Sequence, residues 1–384
     1  MNLFQASNQW ATRPDDERFW TLEDAYDASL AYARTAVEKN VKYADLRVEA
    51  ADTDVVLVGK TNVPARLTNW AFGQLSARVG APASFLRQLP PTLAAQNLNH
   101  LLKVKGTDLD EAQVLFHRNG NLLARAFTSD IYGRYWNHEV IGRARGLENR
   151  GWRVPPARPA HSGQKGTRIA TAADILSITG GGGLSVNVGD EIGPSGIYVS
   201  DHDCFLFLIN EAKRIDDGTP GGLSRGIFIK NSEVGASYLW ALCFYFRHVC
   251  GNHIVWGAEN VIEIKVRHVG DNVGSRFSEA LVQLSKWADT AASVDEARIK
   301  SARSLLLGAD RDAVLDVLFG KKSIDLTRRQ IEAGYDSCVP ELDGDPRSAW
   351  GIAQGLTRSS QLTSFADERD RIDRAAGKIV EFAF

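Results

Sequence analysis

Basic and aromatic side chains are concentrated between residues 132 and 168. From 143 to 168 the chain carries seven lysines and arginines but a single acid, Glu148. Arginines follow a phosphate backbone, and exposed rings give nucleobases a face on which to stack, worth about 1–3 kcal/mol per base. The sequence therefore predicts contact with single-stranded nucleic acid. The alternative is a solvated loop whose tryptophans anchor it to the core.

The predicted contact surface has a main group of residues and a second group. The main group is Arg125, Arg134, Tyr135, Trp136, Arg143, Arg145, Lys165 and Arg168. The second group is Lys230, Arg247 and Asn252. In this interpretation the cations bind phosphates and the rings stack on bases. Affinity should then fall steeply with salt, because neutralised phosphates release their counterions.

Two other patterns would support metal chemistry. Cys250 and His253 have the spacing of zinc ligands, although further His or Cys residues would have to complete the site. Asp201 and Asp203 offer carboxylates that could bind Mg²⁺, as in nucleases. A single Cys-x-x-His is a weaker signal than two paired Cys-x-x-Cys motifs, and aspartates in turns commonly make local hydrogen bonds. We predict no metal, no cofactor and no catalytic centre, with a metal-dependent nuclease as the alternative.

Residues 72–89 read as a helix, a glycine turn and a short helix, which is the outline of a helix-turn-helix. The second helix would present only Ser84, Arg87 and Gln88 to base edges, which is little for sequence readout. We therefore predict a plain helical hairpin here, with sequence-specific DNA binding as the alternative.

The bulk composition is that of an ordinary globular protein, with 384 residues, 44% hydrophobic and 24% charged. A net charge of -2 means that any anion-binding surface must be a local patch. Four cysteines are too few for a disulfide scaffold and favour a reducing compartment. The N-terminus lacks a basic segment followed by an apolar core, and the apolar run 236–246 is too short to span a bilayer. We expect a cytoplasmic protein with no membrane partner.

The pattern of helix, strand and turn signals along the sequence predicts an α+β fold in three parts. Residues 1–110 read as mainly helical, with helices at 21–39, 69–79, 83–89 and 93–105 and one short strand at 54–58. Residues 111–273 read as a central mixed or antiparallel sheet that carries the basic loop, with a hairpin turn at Asn119 and Gly120. Residues 274–384 read as all helical, beginning with an amphipathic helix over 277–291.

Several phrases, in order from about residue 66 to 362, resemble a widespread phage- and plasmid-borne family, a domain of unknown function. They are LTNWAFGQLSARVGAPASFLRQLP, NLNHLL, LLARAFTSDIYGRYWNHEVI, FIKNSEVGASYLWALCFYFRHVCGNHIV and AWGIAQGLTRSSQ. The resemblance implies a mobile-element setting, in which members are often pictured as DNA-processing or recombination-associated proteins. A central sheet with a basic hairpin is also similar, at the level of fold, to single-strand annealing proteins.

The combined expectation is a non-enzymatic protein that binds single-stranded DNA and anneals strands as a homo-oligomer in a phage or plasmid. One alternative is a metal-dependent nuclease or another phage nucleic-acid enzyme. A second alternative is a structural or host-interaction protein whose basic stretch binds an acidic protein surface.

Overall fold

The computed structural model describes residues 17–109, 111–160, 166–172, 174, 186–194, 196–200, 202–219, 221–247, 252–254, 263–289, 291–363 and 366–383. These residues form a mixture of helices and sheets, with sheets in the middle of the chain and helices at its C-terminal end. The predicted α+β class is therefore confirmed.

The N-terminal sheet has six strands in the order β1-β5-β6-β4-β3-β2. Their bounds are β1 Ala36–Val41, β2 Arg47–Ala51, β3 Asp54–Val58, β4 Pro64–Leu67, β5 Ala112–Asn119 and β6 Asn121–Ser129. Neighbours run antiparallel except β4 and β6, which are parallel. The helices of this region are α1 Leu22–Ala33, α2 Asn69–Arg78, α3 Ala83–Leu86 and α4 Pro91–Lys105. Side chains of α2 and α4 such as Phe72 and Leu98 pack in one core with Phe116 of the sheet.

This sheet crosses the predicted boundary at residue 110, so the N-terminal part supplies four strands where the sequence predicted one. The predicted helix over 21–39 begins correctly, since Thr21 caps it by accepting from the Asp24 N–H at 3.0 Å. It ends at Ala33, because the next residues pair with β5 from Ala36 to Val41. The hairpin is confirmed: its turn residue, Gly120, has φ +74°, a conformation that favours glycine.

The second sheet follows the path β11-β12-β13-β14-β15, with β7 paired to β12 and β16 paired to β14. Their bounds are β7 Trp152–Arg153, β11 Ile197–Val199, β12 Cys204–Ile215, β13 Leu223–Asn231, β14 Leu239–Arg247, β15 Asn252–Ile254 and β16 Glu263–Val266. Side chains alternate between the two faces: Leu206 and Ile229 join the main core, whereas Phe207, Phe228 and Phe244 form an aromatic cluster on the other face. A small third sheet contains β8 Arg158–Pro159, β9 Arg168–Ile169 and β10 Glu191–Gly193.

Helices that follow the second sheet pack against its inner face. Helix α5 (Asn137–Arg145) precedes the sheet. The helices that follow it are α6 Val273–Ala288, α7 Ser293–Ser304, α8 Arg311–Gly320, α9 Arg328–Asp336, α10 Pro340–Asp343, α11 Ala349–Ser360 and α12 Ala366–Val380. Apolar residues of α6 and α11, including Phe277 and Trp350, share one core with the sheet. Thr327 caps α9, and Gln330 three residues later completes a capping box, a pattern that the sequence alone indicates. No helix in the described ranges is long and apolar enough to cross a bilayer.

Candidate nucleic-acid interface

The turn between β13 and β14 joins the two large sheets. Glu233 in this turn is 3% exposed and accepts hydrogen bonds from both terminal nitrogens of Arg125 in β6, at 3.2 and 3.1 Å. Its other carboxylate oxygen accepts from the backbone N–H of Asn137, at the start of α5, at 2.8 Å. The next residue, Val234, accepts through its carbonyl oxygen from Trp70 and Gln74 of α2, both at 2.9 Å. Strand β6 and helices α2 and α5 are therefore all hydrogen-bonded to Glu233 or Val234 in this turn.

Arg134 belongs to the same junction. Its side chain is 2% exposed and contacts the carboxylate of Glu38 and the carbonyl oxygen of Glu233, while Nη2 donates to Gln113 at 3.1 Å. Arg125 is buried as well, with its guanidinium 4.6 Å from the centre of the Tyr32 ring. Side chains enclosed in this way cannot reach a phosphate backbone, so the predicted role of Arg125 and Arg134 is not supported.

Arg247, at the end of β14, is likewise an internal residue. Its Nε donates to Asp217 at 2.7 Å, Nη1 contacts Asp343, and Nη2 donates to the Leu342 carbonyl oxygen at 2.6 Å. All three charged side chains are fully buried. The guanidinium therefore ties α10 to the sheet, and it is unavailable to an external ligand. Charged side chains are seldom buried unless they are paired. Arg247 is buried because it pairs with Asp217 and Asp343, which lie far from it in the sequence.

Two predicted cations do lie on an exposed surface, each over an aromatic ring. Arg145 of α5 lies 5.3 Å from the centre of the Tyr26 ring in α1, and Arg168 lies 4.4 Å from that of Trp20. Glu23 lies between the two rings in the chain and pairs with Arg145 at 3.5 Å. We call Trp20, Tyr26, Arg145 and Arg168 the α1–α5 strip.

The two rings of the strip were missed by the sequence analysis. Trp20 lies before α1 and Tyr26 lies within it, so no helical spacing links the two rings. They were missed because α1 lies far before the basic segment in the chain. Only the folded chain places α1 against α5.

Each arginine of the strip has a carboxylate partner. Glu23 is 71% exposed where it pairs with Arg145, and exposed ion pairs contribute about 0–1 kcal/mol, so a phosphate group can replace Glu23 at little cost. The contact of Arg168 with Asp174 is stronger, because both terminal nitrogens of the guanidinium donate to a carboxylate that is 13% exposed. Arg168 holds the pKa of that carboxyl well below its usual range.

The other predicted contacts are scattered. Arg143 is exposed, whereas Tyr135 is 6% exposed, and burial raises the pKa of the Tyr135 hydroxyl although Arg143 acts in the opposite direction. Trp136 is half-buried against the apolar side chains near the turn between β13 and β14. Lys230 lies on the aromatic face, 5.2 Å from the centre of the Phe205 ring.

Lys165 and the side chain of Asn252 lie outside the described residues. The predicted contacts that the structure does describe do not form one continuous groove, and two of them, Arg145 and Arg168, belong to the α1–α5 strip.

A buried histidine lies beside the junction. The His268 ring stacks on Tyr132 with centroids 5.1 Å apart, and its Nδ1 lies 3.2 Å from the Gly133 carbonyl oxygen. Burial lowers the pKa of His268 from 6.5 to about 4, although the hydrogen bond to Gly133 acts in the opposite direction. The Tyr132 hydroxyl donates to the Ser232 carbonyl oxygen at 3.0 Å, and burial raises the pKa of that hydroxyl. At neutral pH both rings are uncharged and have a packing role.

The metal alternatives gain no support from the part of the chain that is described. Within it, no group of three or more His, Cys, Asp or Glu side chains could hold a metal ion. Asp203 accepts from the Ser200 hydroxyl at 3.0 Å, and Asp217 is paired with Arg247. Asp201, Cys250 and the side chain of His253 fall outside the described residues.

The helix-turn-helix alternative is also disfavoured. The second helix, α3, has four residues, and Arg87 at its C-terminal end donates to the Asn69 carbonyl oxygen at 3.0 Å. An element this short, with its only arginine turned back onto α2, is the plain helical hairpin that the sequence predicted.

Comparisons with protein-family models, curated proteins and solved structures find no match to this chain. The resemblance to the phage- and plasmid-borne family therefore stays a prediction. Two of the phrases that carry it, SDIYGRYWN and NSEVG, lie at the junction built around Glu233.

Proposed function

We propose that this protein binds single-stranded DNA through the α1–α5 strip. The observation that carries the proposal is the pairing of two partly exposed guanidinium groups with two aromatic rings, Tyr26 of α1 and Trp20 just before that helix. A guanidinium plane held over a ring presents its outer face to a base, and its N–H groups to a phosphate. Stacking of this kind tolerates any base, so the expected preference is for single strands over duplex and not for a particular sequence.

The carboxylate partners of the two arginines set the expected strength of binding. Glu23 and Asp174 compete with phosphates for Arg145 and Arg168, so binding should be moderate and sensitive to salt. Strand annealing in a phage or plasmid is the extension of this proposal. It requires that several copies present their strips together, and so it includes the predicted homo-oligomer.

The test is fluorescence anisotropy with a labelled oligothymidylate and with a duplex of the same length. The charge-reversal variant R145E/R168E should lose about tenfold or more in affinity for the single strand. The matched control is K300E, which reverses an exposed charge on α7 and should stay within about twofold of the wild type. Wild-type affinity that R145E/R168E leaves unchanged would refute the strip as the binding surface.

The same protein and oligonucleotides distinguish DNA binding from the nuclease and protein-interaction alternatives. Intact strands after incubation with Mg²⁺ or Mn²⁺ are expected, whereas cleavage that EDTA stops would favour a nuclease. Complete absence of binding at low salt would favour a protein-interaction role. Size-exclusion chromatography with light scattering, with and without the oligonucleotide, measures the oligomeric state.

A further inference from the structure

A cavity of about 370 Å³ opens on the N-terminal sheet, away from the α1–α5 strip. Its floor is formed by side chains of β1, β5, β6 and β4, and its walls are the segment 42–46 and the turn after β3. Val37 faces Phe116 across the β1–β5 pair, and Arg118 faces Leu122 across the β5–β6 pair. The cavity therefore lies on the sheet face that also carries Phe116 and the α2–α4 core.

The lining combines an apolar floor with a cationic rim. Val37, Leu57, Val63, Ala65, Phe116 and Leu122 supply the apolar surface. Four cations line the cavity, Lys39, Lys42, Lys60 and Arg118, against two carboxylates, Asp45 and Glu111. The lining therefore carries a net charge of +2 in a chain whose total is -2.

The two carboxylates neutralise only part of this charge. Lys60 pairs with Asp45 at 2.8 Å, and Lys42 lies 3.9 Å from Glu111. Among the described residues, Lys39 and Arg118 have no carboxylate within ion-pair distance, and both are exposed at the rim. Lys39 lies two residues beyond Val37 on β1, and Arg118 lies two residues beyond Phe116 in the opposite direction along the pair, so an unpaired cation lies at each end of the apolar floor.

We infer that this cavity binds a small organic anion, with its apolar or aromatic body on Phe116 and its carboxylate or phosphate group on Lys39 or Arg118 at either end of that ring. The volume falls within the range of small-molecule pockets, about 300–1,000 Å³, which typically have apolar walls and a few polar groups that fix orientation. The cationic rim supplies the attraction for the anionic end, and the low polarity of the floor strengthens it. This site is independent of the proposed DNA-binding function, since the two share no residue.

The experiment uses two fluorescent naphthalene probes that differ in charge. Anilinonaphthalene sulfonate is an anion, and N-phenyl-1-naphthylamine is a neutral compound of the same shape. The wild-type protein should bind the anion with one site per chain and about tenfold more tightly than the neutral probe. K39E/R118E should remove that preference, and K300E should leave it intact.

A second variant tests the floor independently of the charges. V37W fills the cavity from a strand position that is already 38% exposed, so folding should survive. It should weaken both probes about tenfold or more, while circular dichroism and melting temperature stay close to the wild type. If K39E/R118E fails to fold, K39Q/R118Q tests the same contact.

Competition then identifies the natural class of anion. Displacement of the sulfonate by decanoate supports an aliphatic carboxylate, and displacement by adenosine monophosphate supports an aromatic phosphate. Equal affinity for both probes, or anion binding that neither K39E/R118E nor V37W changes, would overturn the inference. So would displacement by the oligothymidylate alone, which would assign the cavity to a nucleic-acid surface.

Discussion

Replacing Glu233 with glutamine should destabilise the whole molecule, because this carboxylate neutralises a buried arginine and anchors two elements. Glu233 and Arg125 are 3% and 1% exposed, and their contact has two hydrogen bonds. Breaking such a pair by changing one partner costs about 3–5 kcal/mol, since the remaining charge stays buried without compensation. Both carboxylate oxygens of Glu233 accept hydrogen bonds, one from Arg125 and the other from the Asn137 N–H. The glutamine side chain replaces one of these oxygens with an NH₂ donor, so one hydrogen bond is lost and the loss of stability increases.

The assay is urea unfolding followed both by circular dichroism and by tryptophan fluorescence, with coincidence of the two curves checked first. D336N is the matched control, because Asp336 pairs with Arg311 at 3.1 Å at an exposed site. Its cost should stay below about 1 kcal/mol. The double variant R125M/E233L should recover part of the stability lost by E233Q, because no unpaired charge remains, although the Asn137 N–H still lacks an acceptor.

A free energy of unfolding for E233Q within about 1 kcal/mol of the wild type would refute this reasoning. It would mean that water reaches Arg125 or that the junction rearranges. An R125M/E233L variant less stable than E233Q would point instead to packing as the main contribution.

Three further predictions follow from single contacts. The unfolded chain protonates His268 below about pH 6.5, whereas the native chain does so only near 4. The stability that neutral His268 gives is therefore complete above pH 6.5 and falls by about 2 kcal/mol between pH 7 and pH 5. H268F should remove that part of the acid sensitivity in urea unfolding at the two pH values, and an unchanged pH dependence would argue against a buried neutral imidazole. G226A should cost about 1–3 kcal/mol and lower the melting temperature, because the added Cβ would run into the Phe244 ring; a melting temperature equal to that of the wild type would contradict this. W20A should weaken oligothymidylate binding by about 1–3 kcal/mol in anisotropy, and unaltered affinity would remove Trp20 from the strip.

The features that were predictable from the sequence depend on neighbouring residues. The hairpin at Gly120 needs only a residue that adopts positive φ, and the cap at Thr327 needs only Gln330 three residues later. Both signals lie within a few residues of the structure they specify. The same holds for α2 and for α4, which ends just before Gly106, as the pattern predicted.

The features that were missed depend on distant partners. The segment Ala36–Val41 continues the helical pattern of α1, and it becomes a strand only because β5, some seventy residues later, pairs with it. The sequence predicts Arg125 and Arg247 to be surface cations because nothing adjacent to them is acidic. Their partners Glu233 and Asp217 lie 108 and 30 residues away, so one sequence gives no sign that these charges are buried.

If Arg145 and Arg168 neutralise phosphates of a single strand, the affinity for the oligothymidylate must depend on salt, and a salt titration measures this dependence. The wild-type affinity for the oligothymidylate should fall steeply between low and physiological salt. Neutralising both arginines in R145Q/R168Q should make the slope of log affinity against log salt shallower by about 1.4, since each phosphate contact on a single strand contributes about 0.7. A slope that is the same for wild type and R145Q/R168Q, or wild-type affinity that does not respond to salt, would contradict the claim.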